Sequence, residues 1–170
     1  MKKKISILMV VMAFIAILQI PVLSQARMND GGTEKDIVEI AQSDDRFTTL
    51  VTALEKAELV DALKADGEFT VFAPTNDAFE KLPAEVLEKL LQPENKDKLA
   101  KVLTYHVYDG KVLAEDVVKL DGQRVKMLNN KCALIEIKDD EVYIDGAKVI
   151  ITDIMAKNGV IHVIDSVMLP

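Results

Sequence analysis

Phe69-Thr70-Val71-Phe72-Ala73-Pro74-Thr75-Asn76-Asp77-Ala78-Phe79 changes structural character at its middle. Phe69 to Ala73 is rich in aromatic and β-branched side chains and reads as a short buried strand. Pro74 ends it, because proline has no amide hydrogen to give to a ladder. Thr75 then offers a hydroxyl that caps a helix. Asp77 falls in the first turn, where the helix dipole favours a carboxylate. Thr70, Thr75, Asn76 and Asp77 therefore read as structural residues rather than as catalytic polar groups.

The last segment of the chain answers this one. Gly159-Val160-Ile161-His162-Val163-Ile164 is apolar on both faces, the pattern of a strand covered on two sides. It bends at Asp165-Ser166 and resumes through Val167-Met168-Leu169-Pro170. His162 alternates with Val160 and Ile164, opposite Ile161 and Val163, and reads as a core histidine with satisfied ring nitrogens. A partner at Thr70, Thr75 or Asn76 would explain why the two segments belong together.

Before Phe69 the spacing is helical. Ile37, Ile40 and Ala41 mark a short helix. Phe47, Leu50, Val51, Leu54 and Ala57 fall on one face of the next, with Asp44 or Asp45 as its cap. Leu59, Val60 and Leu63 add a turn or two, stopped at Asp66-Gly67. Pro83 and Pro93 each read as first-turn prolines of further helices. Val86, Leu87, Leu90 and Leu91 form one stripe; Leu99, Val102 and Leu103 form the other. Beyond Tyr105, turn dipeptides such as Asp109-Gly110, Asp139-Asp140, Asp145-Gly146 and Asn158-Gly159 separate β-branched runs at 125–128, 133–137, 142–144, 149–154 and 160–164. Residues 113–118 read as one small helix. Helices first and strands later give an α+β class.

The N-terminus has a separate logic. Lys2-Lys3-Lys4, an apolar run and the small residues Ser24 and Ala26 have the layout of a secretory signal peptide over residues 1–26. Residues 27–33 then form a polar linker, and 34–170 form one domain. The expected location is exported: periplasmic, cell-surface or secreted. Uncleaved, the first segment would be an N-terminal anchor and the chain's contact with a membrane. Cleavage removes three lysines and no acid, taking the net charge from −7 to −10. Such acidity argues against nucleic acid as a partner, since phosphate binding needs clustered Lys and Arg. Cys132 is the one cysteine, so no intrachain disulfide forms. It opens an apolar run and reads as a small buried hydrophobe.

Residues 69–79 and 159–170, with Tyr105-His106 between them, resemble the two signature motifs of the fasciclin-like domain family. The resemblance extends over roughly residues 33–170. It implies a compact wedge, a mostly antiparallel β-sandwich flanked by N-terminal helices. It also implies candidate sites. Tyr105-His106, set among Leu103, Val107, Val112 and Leu113, is similar to a dipeptide associated with integrin-dependent adhesion in animal relatives. Asp153-Ile154, within Ile150-Ile151-Thr152-Asp153-Ile154-Met155, is similar to the family's second adhesion-associated segment. Tyr105, His106, Asp153 and Ile154 are thus the candidate partner-binding residues, with Asp153 able to pair with Arg or complete a cation's coordination. Each also has a structural reading, which is preferred. Tyr105 would anchor the helix-to-strand transition and His106 would satisfy buried backbone groups. Ile154 would sit in the core, with Asp153 at the strand edge.

Catalytic constellations are missing from the sequence: there is no Gly-x-Ser-x-Gly elbow, no phosphate-cradling glycine loop and no His-Glu-x-x-His. Two histidines 56 residues apart and one cysteine make no zinc motif. Asp44-Asp45 and Asp139-Asp140-Glu141 lack the ligand alternation and glycine of an EF-hand and read as solvated turns. No enzyme activity, cofactor or metal is expected. The expected role, implied by the resemblance, is adhesion through a cell-surface or matrix protein or glycan. The alternative is a periplasmic carrier of a small apolar ligand or lipid, which requires an apolar cavity of several hundred Å3.

Overall fold

The computed structural model describes residues 34–65 and 67–170; the expected signal peptide and linker lie outside them. Helix α1 (Ile37–Gln42) starts at Asp36, whose carboxylate accepts from the Glu39 amide while the Glu39 carboxylate accepts from the Asp36 amide. This reciprocal box satisfies two otherwise orphaned donors. A 3-10 turn capped by Asp44 leads into α2 (Thr48–Lys56), followed by α3 (Val60–Lys64). Strand β1 (Phe69–Pro74) runs into α4 (Asn76–Glu80), which Thr75 caps through its hydroxyl, 3.3 Å from the Ala78 amide. Next come α5 (Ala84–Leu91) and α6 (Lys96–Tyr105); Pro83 stands just ahead of the first, and Pro93 opens a 3-10 turn before the second. The remainder is β2 (Val107–Asp109), α7 (Ala114–Val117), β3 (Arg124–Lys126), β4 (Cys132–Lys138), β5 (Glu141–Ile144), β6 (Ala147–Ala156) and β7 (Gly159–Ile164).

The strands are ordered β2-β1-β7-β6-β5-β4-β3. Five neighbouring pairs are antiparallel and β1–β7 alone is parallel, with Phe69 opposite Gly159 and Pro74 opposite Ile164. The two segments singled out in the sequence are therefore adjacent strands. Their side chains feed two clusters. Val71, Ala73, Ile161 and Val163 face the helices, meeting Val38, Phe47, Leu50 and Leu103. Phe72 and Ile164 point the other way, onto Ile135 of β4 and Ile144 of β5. The far strands thus fold back over the central pair, so one continuous strand order supplies both layers of the sandwich. Both faces of β1 and β7 are covered, which is why neither shows a polar alternation. The voids on the two sides of this pair are small: that beneath the helices measures about 20 Å3 and that beside Phe72 about 10 Å3.

Turn chemistry fixes the register. Asp139-Asp140 and Asp145-Gly146 each take two positive φ values, 53° and 63° in the first and 48° and 84° in the second. These are the two-residue hairpins whose twist matches that of the strands. Gly159 has a different role. A Cβ there would lie 1.9 Å from the Phe69 carbonyl oxygen, so the β6–β7 turn can reach β1 only through glycine.

Two local expectations are corrected. Cys132 is exposed, because the alternation along β4 turns Ala133 and Ile135 inward instead. Strand β2 has no counterpart in the sequence reading; three residues are too few to display a period. Among the described residues no helix is long and apolar enough to cross a membrane.

Candidate functional site

The candidate residues divide into buried braces and one exposed ridge. His106 caps the C-terminus of α6 and is buried. Its Nδ1 lies 2.8 Å from the Val102 carbonyl oxygen, and its Nε2 accepts from the Met168 amide at 2.9 Å. A carbonyl only accepts and an amide only donates, so the ring is neutral with its proton on Nδ1. The His106 carbonyl in turn accepts from the Phe72 amide at 2.8 Å. One residue thus joins α6, β1 and the C-terminal segment. Burial pushes its pKa down to about 4.

His162 is the second brace. Its Nε2 lies 2.9 Å from the Val112 carbonyl oxygen, and its Nδ1 accepts from the Asp153 amide at 3.3 Å, which places the proton on Nε2. The ring stacks on Phe72, its neighbour across the parallel pair, with centroids 5.6 Å apart. Burial again lowers the pKa. The expected direct bond to Thr70, Thr75 or Asn76 is not made. Thr70 instead accepts from the Val112 amide at 2.9 Å and donates to the Gly110 carbonyl at 2.7 Å. Thr70 and His162 therefore grip the two polar groups of one residue, Val112.

Tyr105 is buried by its ring, while its hydroxyl reaches the Asp145 carboxylate at 2.9 Å and the Cys132 carbonyl at 3.1 Å. Burial, then the bond to Asp145, pushes its pKa up to about 12. Tyr105 and His106 are 4% and 2% exposed, so a partner meeting the folded chain touches neither side chain. The physical reason is that α6 ends inside the molecule, where its last turn needs acceptors and donors of its own.

The ridge lies on β6. Val149 pairs with Ile164 and Ile151 with Val163, which leaves Ile150 as an extra residue. Ile154 pairs with Ile161, so Thr152 and Asp153 together oppose His162. These are two bulges in succession, and Asp153 takes a φ of 59° within the second. The Asp153 amide bonds His162, as above, and its Oδ1 accepts from the Ala114 amide at 2.9 Å, which holds the start of α7. Oδ2 makes no hydrogen bond among the described residues. Ile154 is half-buried against the helix-side cluster. Ile150 and Ile151 are 46% and 37% exposed. Beyond Lys148, β6 pairs with β7 alone, and no strand among the described residues covers its outer edge.

Of the four candidate partner-binding residues, then, Asp153 is the one with an exposed side chain. Ile150 and Ile151 join it there, unforeseen, because a bulge reverses the inward and outward phase of a strand and leaves no mark in composition. Asn76 also departs from expectation. Its Oδ1 accepts from the Thr49 amide of α2 at 3.0 Å, and its Nδ2 donates to the Asp45 carbonyl of the preceding 3-10 turn at 2.8 Å. Asp77 stays exposed in the first turn of α4. Asn158 and Asp165, read as a turn and a bend, are connectors. Asn158 accepts from the Ile37 amide at 3.0 Å and donates to the Leu63 carbonyl at 2.6 Å. Asp165 takes the Lys148 amide at 3.0 Å and the Lys81 ammonium at 2.9 Å.

Comparison with known proteins places this arrangement. The Fasciclin domain model matches residues 45–170, from the 3-10 turn before α2 to Pro170. Protein sll1483 of Synechocystis is 51% identical over 149 residues, covering 88% of this chain and 79% of that protein. Human periostin is 34% identical over 137 residues, which is 79% of this chain and 16% of periostin. Among solved structures, a FAS1 domain pair from the insect cell adhesion molecule Fasciclin I shares the fold at a TM-score of 0.72 and 20% identity, over 80% of this chain and 51% of that one. With the two signature segments paired as adjacent strands and the family model spanning both histidines and the ridge, the chain belongs to the fasciclin domain family.

Proposed function

We propose that this chain is an exported adhesion module that binds a cell-surface or matrix protein or glycan and catalyses no reaction. The observation that carries the reading is the ridge Ile150-Ile151-Thr152-Asp153, an exposed apolar pair beside a carboxylate oxygen that has no hydrogen bond among the described residues, on a strand edge that no other described strand covers. An apolar contact with a flanking charge is the usual anatomy of a recognition patch. The doubled bulge keeps that edge from pairing indiscriminately with another strand. The fold shared with an insect cell adhesion molecule supports the role, and residues 1–26 support export. Both histidine rings have their two nitrogens engaged by backbone groups, which leaves neither poised as a general base. The carrier reading is not favoured, since the void between the helices and the sheet is about 20 Å3 and that on the other face about 10 Å3.

The test is the variant I150S/I151S/D153N. Asn tolerates a positive φ, and its amide oxygen can still accept from Ala114, so the fold should persist and its circular-dichroism melt should stay close to that of the parent. Retention of the purified variant on intact cells and on isolated extracellular matrix should fall by about tenfold, the loss expected when the anchors of a patch are removed. Undiminished retention by the folded variant would place the contact elsewhere.

A further inference from the structure

A second surface has the makings of a binding site, and it shares no residue with the ridge. Lys98 and Lys101 stand three positions apart on one face of α6, and Lys131 lies in the turn before β4. Together they border an open groove of about 460 Å3, a size within the range of small-ligand clefts. Val102 and Leu169 give it an apolar lining, and Leu169 is 51% exposed. Among the described residues no Asp or Glu side chain lines it. The ion pairs among the described residues use Arg46, Lys81, Lys96, Lys119, Lys138 and Lys148. Lys98, Lys101 and Lys131 are in none of them. In a chain of net charge −7, three unpaired ammoniums converging on one groove form a local positive field against the sign of the whole.

The walls are held in place. Asn129 donates through Nδ2 to the Lys101 carbonyl at 3.1 Å and accepts on Oδ1 from the Lys131 amide at 2.9 Å. It therefore fixes two of the lysine backbones against each other. The third wall, Leu169 and Pro170, follows Met168, whose amide is bonded to His106. A groove organised in this way loses little freedom on binding.

We propose that this groove binds an acidic polysaccharide, with uronate carboxylates held by Lys98, Lys101 and Lys131 and a sugar ring face resting on the exposed Leu169. The lining offers lysines and no arginine, so it holds anions by charge and not by a planar two-point grip. Apolar side chains suit the CH faces of sugars, which a bare anion would leave unused. A module with this groove and the ridge could hold a matrix polymer with one surface and a partner with the other.

The experiment is calorimetric titration of the full chain at low ionic strength with a short oligogalacturonate, a neutral galacto-oligosaccharide of equal length and a single-stranded DNA oligonucleotide. The oligogalacturonate should bind, the neutral sugar should not, and added salt should weaken the binding. The variant K98Q/K101Q/K131Q should lose about tenfold or more in affinity, since surface lysines are replaced without disturbing the core. A control, K89Q/K111Q/K157Q, removes the same charge elsewhere and should bind as the parent does. Absence of oligogalacturonate binding, equal loss in the control, or tighter binding of the DNA would each overturn the proposal.

Discussion

His106 and His162 show how much one side chain can decide when both of its nitrogens are used. Each ring is neutral, each accepts one backbone N–H and donates to one backbone carbonyl, and each is buried. Protonation would turn the accepting nitrogen into a donor facing a donor. This has a sign in pH. The His106 pKa is about 4 in the folded chain against 6.5 for an unperturbed ring. Between those values the unfolded chain takes a proton that the folded chain refuses, so stability is full above pH 6.5 and falls as pH drops toward 4. The loss amounts to about 3 kcal/mol. His162 adds to it in the same direction. Paired carboxylates such as Asp44, held down by its bond to Arg46, titrate lower still and affect stability only at more acid pH. Urea unfolding across this window should show the fall for the parent chain. His106→Gln should be less stable at neutral pH but show a visibly flatter profile. Parallel profiles would mean that His106 is not the titrating group.

Strands and hairpins add constraints that no single residue carries. The turn between β4 and β5 sets Asp139 and Asp140 at positive φ, a conformation in which glycine is unstrained and the second position favours it. Asp140→Gly should therefore stabilise the chain by about 0.5–1 kcal/mol, seen as a higher melting temperature with unchanged secondary structure. A lower melting temperature would show that the Asp140 side chain contributes something the backbone geometry does not reveal. At this scale the sequence is legible where a strand is apolar on both faces, because then register does not matter; β1 and β7 are of this kind. It misleads where phase matters. Cys132 begins an apolar run yet faces outward, and the run 149–154 conceals two bulges that turn Ile150 and Ile151 to solvent while Ile154 stays half-inside. For Tyr105 and His106 the preferred reading is structural, and both side chains lie buried at the end of α6. Of the candidate site, the segment around Asp153 is readable by resemblance, whereas its exposed members follow from the bulges alone.

Over the whole molecule, the β1–β7 pair is the element on which both clusters rest. Val71 and Ile161 serve the helix side; Phe72 and Ile164 serve the other. The polar connectors run to the same place. Asn158 ties the β6–β7 turn to α1 and α3, Asp165 ties the end of β7 to Lys81 and β6, and His106 ties β1 to α6. These bonds join residues far apart in sequence, so a local pattern cannot announce them. They leave the outer surface, with its ridge and its lysine-lined groove, as the part free to recognise something else. Native-state hydrogen exchange tests this arrangement most directly. Amides of Phe72, Ala73, Ile161 and Val163 should exchange only through global unfolding, at a free energy equal to that from urea denaturation. If those amides open at lower free energy while β4 and β5 stay protected, the pair is not what holds the two clusters together.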